Sequence, residues 1–402
     1  MTIEIIPDVA LLGIFDFYVD QALQDDETEA WHTLVHVCQT WRNVIFGSPL
    51  RLNLQLYCTA RRPVRRALHI WPPLPIVIQQ YGPSTRGMDN IIAALEHNDR
   101  VYEIKLWQVS VPLLENVLAA MKESFPALTY LNLRLDDGKV AVVPDSFLGG
   151  SAPRLRSLVL QRLSIPGLPK LLLSATDLVD LLLLNIPHSM YIPPGAMVTC
   201  LLALVRLEGF GLGFESPRSR PERRHPPPHN RSILSTITNL WFTGVSEYLE
   251  DLLSRIDAPL LNSLNISFFH QLIFDSPQLA HFIGRSPALK AHDLAHVFFA
   301  DSKVQVILPW TELKLGISCR QSDWQLSSLA QVRTLSFPQA LIQTVEQLYL
   351  HEHGDSRSRW QDDIEDNQWL ELLRPFMAVK SLYLCHRHDF RLEKLSREYC
   401  LP

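Results

Sequence analysis

A chain of 402 residues with 47% hydrophobic and 20% charged residues can bury a large core and is expected to fold as more than one packed unit. Its formal net charge of −5 at pH 7 argues against nucleic acid or an anionic membrane as a partner. The cysteines form no Cys-x-x-Cys pair, which argues against a disulfide framework or a zinc ribbon.

No targeting or membrane segment is expected from the sequence. Glu4 and Asp8 lie where a signal peptide would carry positive charge. Prolines interrupt the longest stretch without a charged residue, 181–205, which argues against a membrane span. We therefore expect a protein of the cytoplasm, the nucleus or both, without a membrane partner.

Residues 1–48 are predicted to form a helical module. Apolar residues between Ile6 and Tyr18 recur at helical spacing, and a second helix is predicted from about Ala30 to Phe46. An acidic loop is predicted between the two helices, and Gly47-Ser48-Pro49 ends the second. Residues 49–100 are predicted to be a linker or the cap of the first repeat.

From residue 101 a short motif recurs, in which the first, fourth and sixth positions are apolar. Its copies begin at Val101, Leu128, Leu155, Leu178, Leu202, Ile237, Leu261, Leu289, Trp310, Val332, Val345 and Val379. Amphipathic segments separate many of the copies. This pattern predicts an α/β fold in which residues 101–388 form a leucine-rich-repeat-like solenoid with a curved parallel sheet and outer helices.

The solenoid is predicted to be irregular. The residue eight positions after the start of the motif is Asn or Cys in a regular repeat, but here it is apolar, at Val109, Leu163, Ile186, Val245 and Phe269. Two insertions also interrupt the array. One, at about 215–231, is rich in Pro and Arg and is predicted to be disordered. The other covers 353–367, and a tail is predicted at 389–402.

The N-terminal segment carries a more specific signal. Ile6-Pro7, Leu11 and Ile14-Phe15, followed by Leu34-Val35-His36-Val37-Cys38-Gln39-Thr40-Trp41-Arg42, resemble the F-box. Segments 48–58, 70–78 and 360–376 are similar to the continuation in the large F-box families of mushroom-forming fungi. The resemblance implies an N-terminal F-box hairpin and a substrate-recognition subunit of an SCF-type ubiquitin ligase.

That resemblance implies that the N-terminal module binds a Skp-type adaptor. A hairpin of about 45 residues is too small to be stable alone, so an apolar face is expected to dock on a partner. The candidate adaptor-binding residues are Pro7, Leu11, Ile14, Phe15, Val37, Cys38 and Trp41. The alternative is that several of them form the core of the hairpin itself.

The repeats are expected to bind an unknown target protein. Side chains alternate along a strand, so the positions between the apolar motif residues are predicted to face the concave side. Aromatic residues there are candidate anchors for the target: Trp107, Tyr130, Trp241, Tyr349 and Tyr383. The alternative is a shift of one residue in register, which would bury them.

No catalytic motif was found, so we expect no enzyme activity, cofactor or metal. His351 with His353, and His386 with His388, have a spacing that could hold a metal, but solvated histidines are the preferred interpretation. The acidic run 362–366 is interpreted as a solvated surface. Residues 218–231 are interpreted as an insertion, with nuclear import or phosphate binding left open. The alternative function is a repeat scaffold whose F-box-like hairpin only caps the solenoid.

Overall fold

The structure is a computed structural model, and it describes residues 6–24, 31–49, 51–61, 64–84, 86–135, 138–218, 230–269, 276–289, 293–300, 303–308, 313–318, 344–353 and 376–385. Within these ranges the fold is mixed α/β, with ten α-helices and a large, mostly parallel sheet. None of the described helices has the length and apolar character that a membrane span requires. The chain divides into two compact units, residues 1–176 and 177–402.

The first unit begins with three helices: α1 (Asp8–Gln24), α2 (Trp31–Val35) and α3 (Gln39–Gly47). Strands and helices follow: β1 (Leu56–Thr59), α4 (Val64–Ile70), β2 (Ile76–Tyr81), α5 (Met88–Leu95), β3 (Val101–Val109), α6 (Val111–Ala120), β4 (Tyr130–Leu135), β5 (Ala141–Val142), β6 (Ser157–Gln161), β7 (Leu163–Ser164) and α7 (Leu168–Ser174). β1, β2, β3, β4 and β6 pair in parallel in that order. The segment expected to be a linker or cap therefore supplies two strands and two helices.

The single helix predicted from Ala30 to Phe46 is wrong, because the chain breaks into α2 and α3 around Cys38. Cys38 is extended, with φ −157° and ψ 172°, and its Sγ accepts the backbone N–H of Trp41 at 3.5 Å. The Arg42 Nε donates to the carbonyl of Val35 at the end of α2, at 3.1 Å. Cys38 thus caps α3 and Arg42 satisfies a free carbonyl of α2, so the segment forms a tight turn.

The second unit contains β8 (Asp180–Ile186), α8 (Pro194–Ala203), β9 (Gly209–Phe214), β10 (Ser232–Ile233), β11 (Asn239–Gly244), α9 (Ser246–Arg255), β12 (Ile256–Asp257), β13 (Ser263–Phe268), α10 (Pro277–Arg285), β14 (Leu294–Ala300), β15 (Lys303–Leu308), β16 (Leu313–Ser318), β17 (Gln347–His353) and β18 (Ser381–Cys385). Its main sheet has the order β8-β9-β11-β13-β16-β15-β14-β17-β18. Helices α9 and α10 are joined by side-chain hydrogen bonds. Glu250 of α9 accepts the N–H groups of Gln278 and Leu279 at the start of α10, at 2.8 and 2.9 Å.

The repeat motif predicts most of these strands. β3, β4, β6, β8, β11, β13, β17 and β18 lie on predicted copies, with the first, fourth and sixth motif residues buried in most of them. The copy beginning at Leu202 is wrong: Leu202 belongs to α8, and the strand is β9, five residues later, at Leu207-Phe210-Leu212. The copy at Val332 lies outside the described residues, as do 219–229, 354–375 and 386–402.

The predicted parallel sheet is confirmed for most strands, but one strand, β15, runs in the opposite direction. β15 pairs antiparallel with β14 on one side and with β16 on the other. The motif copy that begins at Leu289 lies before β14, which starts only at its last position, Leu294. No copy of the motif falls on β15. β15 is joined to its neighbours by short connections, 301–302 and 309–312, so an antiparallel arrangement needs no crossover helix.

A left-handed residue recurs near the end of three repeat strands. Gln108, Arg162 and Asn185 have φ values of 55°, 59° and 48°, each seven residues after the start of its motif. Pairing shifts register around Gln108 and around Asn185. The next residue in each repeat is apolar and buried: Val109, Leu163 and Ile186. The bend therefore turns an apolar side chain into the core at the position where a regular repeat carries Asn or Cys.

Candidate functional site

Two of the predicted adaptor-binding residues lie inside the N-terminal helices. Leu11 is 2% exposed and Phe15 is fully buried. The Phe15 ring lies against the indole of Trp41, with a centroid distance of 4.7 Å. Trp41 itself is partly buried, and its Nε1 is buried without a hydrogen-bond partner in the described part of the chain. The contact between Phe15 and Trp41 holds α1 against α3.

The remaining candidates are on the surface. Pro7 and Cys38 are exposed, Ile14 is 54% exposed and Val37 is 52% exposed. Sequence reasoning missed Val9 and Phe17, which are both 72% exposed. We call the exposed apolar residues of this region the N-terminal apolar set; it consists of Ile6, Val9, Ile14, Phe17, Tyr18 and Val37.

The α1 helix is apolar on two opposite sides. Leu11, Leu12, Phe15 and Val19 follow helical spacing and are buried. At 100° per residue, Phe17 lies opposite this buried stripe and Val9 and Ile14 lie on either side of Phe17, whereas Tyr18 lies next to Leu11 at the edge of the buried side. A surface helix normally presents polar residues to water, so this second apolar side is a candidate protein-binding surface.

An aromatic cluster attaches the N-terminal helices to the rest of the first unit. The Trp31 ring lies 5.3 Å from that of Trp71 and 6.0 Å from that of Phe46. Its Nε1 donates to the carbonyl of Gln55, just before β1, at 3.2 Å. Burial, together with the charge of His36, lowers the pKa of His32, whose ring stacks on Trp71. The helices therefore have a fixed position on the β1 end of this unit.

Trp107 and Tyr130 lie on the face of the first unit's sheet that does not carry the core. The Lys105 Nζ lies 5.0 Å from the Tyr130 ring centroid and 2.6 Å from a carboxylate oxygen of Glu103. Burial lowers the pKa of Lys105, but the hydrogen bond and charge of Glu103 outweigh this effect, so that the pKa is raised. Both aromatic rings are partly exposed.

A polar ladder along β4 continues this face. The Arg134 guanidinium lies over the Trp107 ring at 5.3 Å, and its Nε donates to Asn132 Oδ1 at 3.0 Å. The Asn132 Nδ2 donates to the hydroxyl of Tyr130 at 3.1 Å. Tyr81 packs edge-on against Trp107 at 5.3 Å. The outer side chains are thus preorganised by their neighbours on adjacent strands.

In the second unit, Trp241 lies over a strand of glycines. An added Cβ on Gly213 would come within 2.6 Å of the Trp241 Cη2, and one on Gly211 within 3.3 Å of its Cε3. The indole therefore occupies the space that side chains on β9 would fill. Trp241 remains partly exposed, but its ring packs against the sheet instead of projecting freely.

A stacked aromatic ladder occupies the outer face of β14, β17 and β18. Tyr349 stacks on Tyr383 at 4.3 Å and on His296 at 4.9 Å, while Phe298 stacks on His351 at 4.3 Å. The sequence singled out both tyrosines and His351, whereas His296 and Phe298 were missed because their strand does not follow the motif. Alternation of buried Ala295 and Val297 with these two residues is the signal that could have found them.

The histidines give no metal centre in the described ranges. His296 Nδ1 and His351 Nε2 are 2.7 Å apart, a hydrogen-bond distance, and burial lowers the pKa of His296. No group of three His, Cys, Asp or Glu side chains with a geometry that could hold a metal occurs among the described residues. His386, His388 and the acidic run 362–366 lie outside them.

A comparison with models of known protein families finds no match, and no curated protein is significantly similar to the chain. The functional interpretation is therefore built on the residues and geometry described above.

Proposed function

We propose that the protein is the substrate-recognition subunit of an SCF-type ubiquitin ligase. Its N-terminal helices act as an F-box that binds a Skp-type adaptor, and the outer faces of its repeat strands bind a target protein. The observation that carries the proposal is the second apolar side of α1, exposed at Ile14 and Phe17 while the first side forms the core. We expect the protein to act in this complex as a binding subunit and not as an enzyme.

The exposed residues have the chemistry of an adaptor interface. Burying a large aliphatic or aromatic side chain contributes about 1.5–3 kcal/mol, and Val9, Ile14, Phe17 and Val37 are each more than half exposed. Together they can provide much of the free energy of a stable complex. In this proposal Leu11, Phe15 and Trp41 support the interface from behind instead of contacting the adaptor.

The repeat architecture supports the second half of the proposal. Parallel strands separated by helices, with apolar motif residues buried, are the arrangement of a leucine-rich-repeat-like solenoid. We propose that this chain forms such a solenoid, made irregular by the antiparallel β15. Its partly exposed aromatic residues, Trp107, Tyr130, Trp241, Tyr349 and Tyr383, are the proposed anchors for the target.

A pull-down with a purified Skp-type adaptor tests the adaptor interface. The unmodified protein should retain the adaptor, and an Ile14→Ala, Phe17→Ala double variant should lose at least about tenfold in affinity. Val142→Ala, which truncates an exposed apolar residue elsewhere in the first unit, is the matched control and should bind normally. Circular dichroism should be the same for all three proteins.

The alternative function is a binding scaffold whose N-terminal helices only cap the repeats. The packing of Trp31 on Trp71 and its hydrogen bond to Gln55 favour such a capping role in addition to adaptor binding. If the unmodified protein retains no adaptor, the ligase proposal is wrong and the capping role is the better description.

A further inference from the structure

The outer face of the second unit's sheet has an unusual charge composition. Apart from Asp180 at the far edge on β8, the outward side chains that the structure describes on β11, β13, β16, β15, β14, β17 and β18 include Lys303 and Lys314 and no Asp or Glu. The whole chain has 42 acidic and 37 basic residues, so this face has the opposite sign to the protein. We call it the basic aromatic face and define it by Trp241, Lys303, Lys314, His296, Tyr349 and Tyr383.

The two lysines lie close together on this face. An added Cβ on Gly316 would come within 2.5 Å of Lys303 Cε, so the Lys303 side chain lies across β16 in the space above that glycine. Lys314 is two residues from Gly316 on the same strand and the same face. Burial, and the charge of Lys314, lower the pKa of Lys303. Neither lysine forms an ion pair with a carboxylate among the described residues, so an anion brought here would relieve their mutual repulsion.

Strand pairing aligns all of these groups except Lys303 into one row across the sheet; Lys303 pairs with Ser318, four residues from Lys314 on β16, and its side chain reaches back over Gly316. Trp241 pairs with Asn265, Asn265 with Lys314, and Lys314 with Ile307. Ile307 pairs with His296, His296 with Tyr349, and Tyr349 with Tyr383. Neighbouring strands are about 4.8 Å apart, so a row across these seven strands is about 29 Å long. An extended peptide of about nine residues that crosses the strands has this length.

Two further observations point to a peptide. The buried Asn265 Oδ1 has no hydrogen-bond partner in the described ranges, and a ligand N–H that reaches it when the covering side chains shift would satisfy it. Tyr383, at the other end of the row, is 42% exposed and stacks on Tyr349 on one side only among its described contacts. A further aromatic ring can continue that stack.

We propose that the basic aromatic face binds an acidic peptide segment that also carries an aromatic residue. The peptide carboxylates lie at Lys303 and Lys314, and its ring packs on Tyr383. Within the proposed function this segment is the part of the target protein that the receptor recognises, so the inference rests on that function for its role. The proposed function alone does not say what kind of target is bound, whereas this inference specifies an acidic peptide with an aromatic residue.

Fluorescence anisotropy with the full-length protein tests the proposal. The probe is a labelled short peptide of glutamates around a central tryptophan, and two comparison peptides replace the glutamates by glutamines or by lysines. We expect binding in the order acidic, neutral, basic, and weaker binding at high salt. Lys303→Gln and Lys314→Gln should each weaken binding by about fivefold, and Tyr383→Ala should weaken it similarly. Lys380→Gln, which removes an exposed lysine of the same unit, is the matched control.

Several outcomes would overturn the proposal: no binding of the acidic peptide, equal binding of the basic one, or lysine variants that bind as well as the unmodified protein. A phosphoserine-containing peptide that binds more than about tenfold tighter would assign the face to phosphate instead. Displacement of the probe by lower concentrations of oligouridylate would assign it to single-stranded nucleic acid.

The adaptor pull-down is independent of the peptide-binding experiment, because it reports only on the N-terminal helices. Peptide binding without adaptor binding would refute the ligase role alone, and the reverse would refute this inference alone.

Discussion

The indole of Trp41 packs against the ring of Phe15, with centroids 4.7 Å apart and ring planes inclined by 60°. This contact joins α3 to α1 across the turn that Cys38 caps. The tryptophan of the Val-Cys-x-x-Trp-Arg segment therefore has a structural role, whatever binds outside. A Trp41 substitution would disturb the fold and the outer surface together, so it cannot separate folding from adaptor binding.

Phe15→Ala and Ile14→Ala should have different effects although the residues are adjacent. Phe15 is fully buried, and its truncation should cost about 3–5 kcal/mol of local stability. Ile14 is 54% exposed, and its truncation should change stability by less than about 0.5 kcal/mol. Hydrogen exchange of the α1 and α3 amides should accelerate in Phe15→Ala only. Equal acceleration in both variants would mean that Ile14 belongs to the core.

Gly213→Ala should destabilise the second unit by about 1–3 kcal/mol, because the new methyl group would overlap the Trp241 ring and push it out of place. Gly284→Ala, on α10, meets no atom within 4 Å and should stabilise that unit by about 0.5–1 kcal/mol. Urea denaturation of the two variants should shift in opposite directions. A neutral Gly213→Ala would show that the indole does not rest on β9.

The second unit should lose stability as the pH falls below about 6.5. Burial holds the pKa of His296 below this ordinary value, so an unfolded chain takes up the proton at a higher pH than the folded chain. In that window the unfolded state binds more protons, and lowering the pH favours unfolding. The contribution is fully present above about pH 6.5 and is lost as the pH falls towards the pKa of the folded state.

The variant His296→Phe keeps an aromatic ring for the stack with Tyr349 but removes the titrating group. The stability of the second unit, followed by hydrogen exchange of the β14 and β17 amides, should depend less on pH in this variant. The exposed His281 on α10 is the control, and His281→Gln should keep the original slope. An unchanged slope in His296→Phe would show that another group causes the acid sensitivity.

The sequence could predict the core of most repeats because one rule determines it. Alternation of side chains along a strand buries Leu131 and Leu133 of β4 and leaves Tyr130 and Arg134 outside, as the motif requires. The rule failed at β9, where glycines at 209, 211 and 213 weaken the strand signal and an apolar run at the end of α8 imitates the motif. It also failed at β15, which no helix precedes and which runs in the opposite direction.

The candidate adaptor site could be predicted only as a set of residues. Because α1 is apolar on both sides, spacing alone does not tell which side is the core, and Leu11 and Phe15 were grouped with Ile14. The basic aromatic face needed the pairing of strands distant in sequence. Lys314 and His296 share a row only because β15 lies between their strands, and no local pattern encodes that arrangement.

The order of β14, β15 and β16 limits how this protein can change in length during evolution. In a regular repeat array, one repeat can be duplicated or deleted and its neighbours close the gap. Here the spatial order is β13-β16-β15-β14-β17. After β13 the chain forms β14 three positions away, and β15 and β16 then fill the space back to β13, while β17 pairs with β14. Loss of one of these strands would leave the others with the wrong direction or partner. The three strands should therefore be inherited, inserted or lost together, while single strand–helix units elsewhere can vary in number.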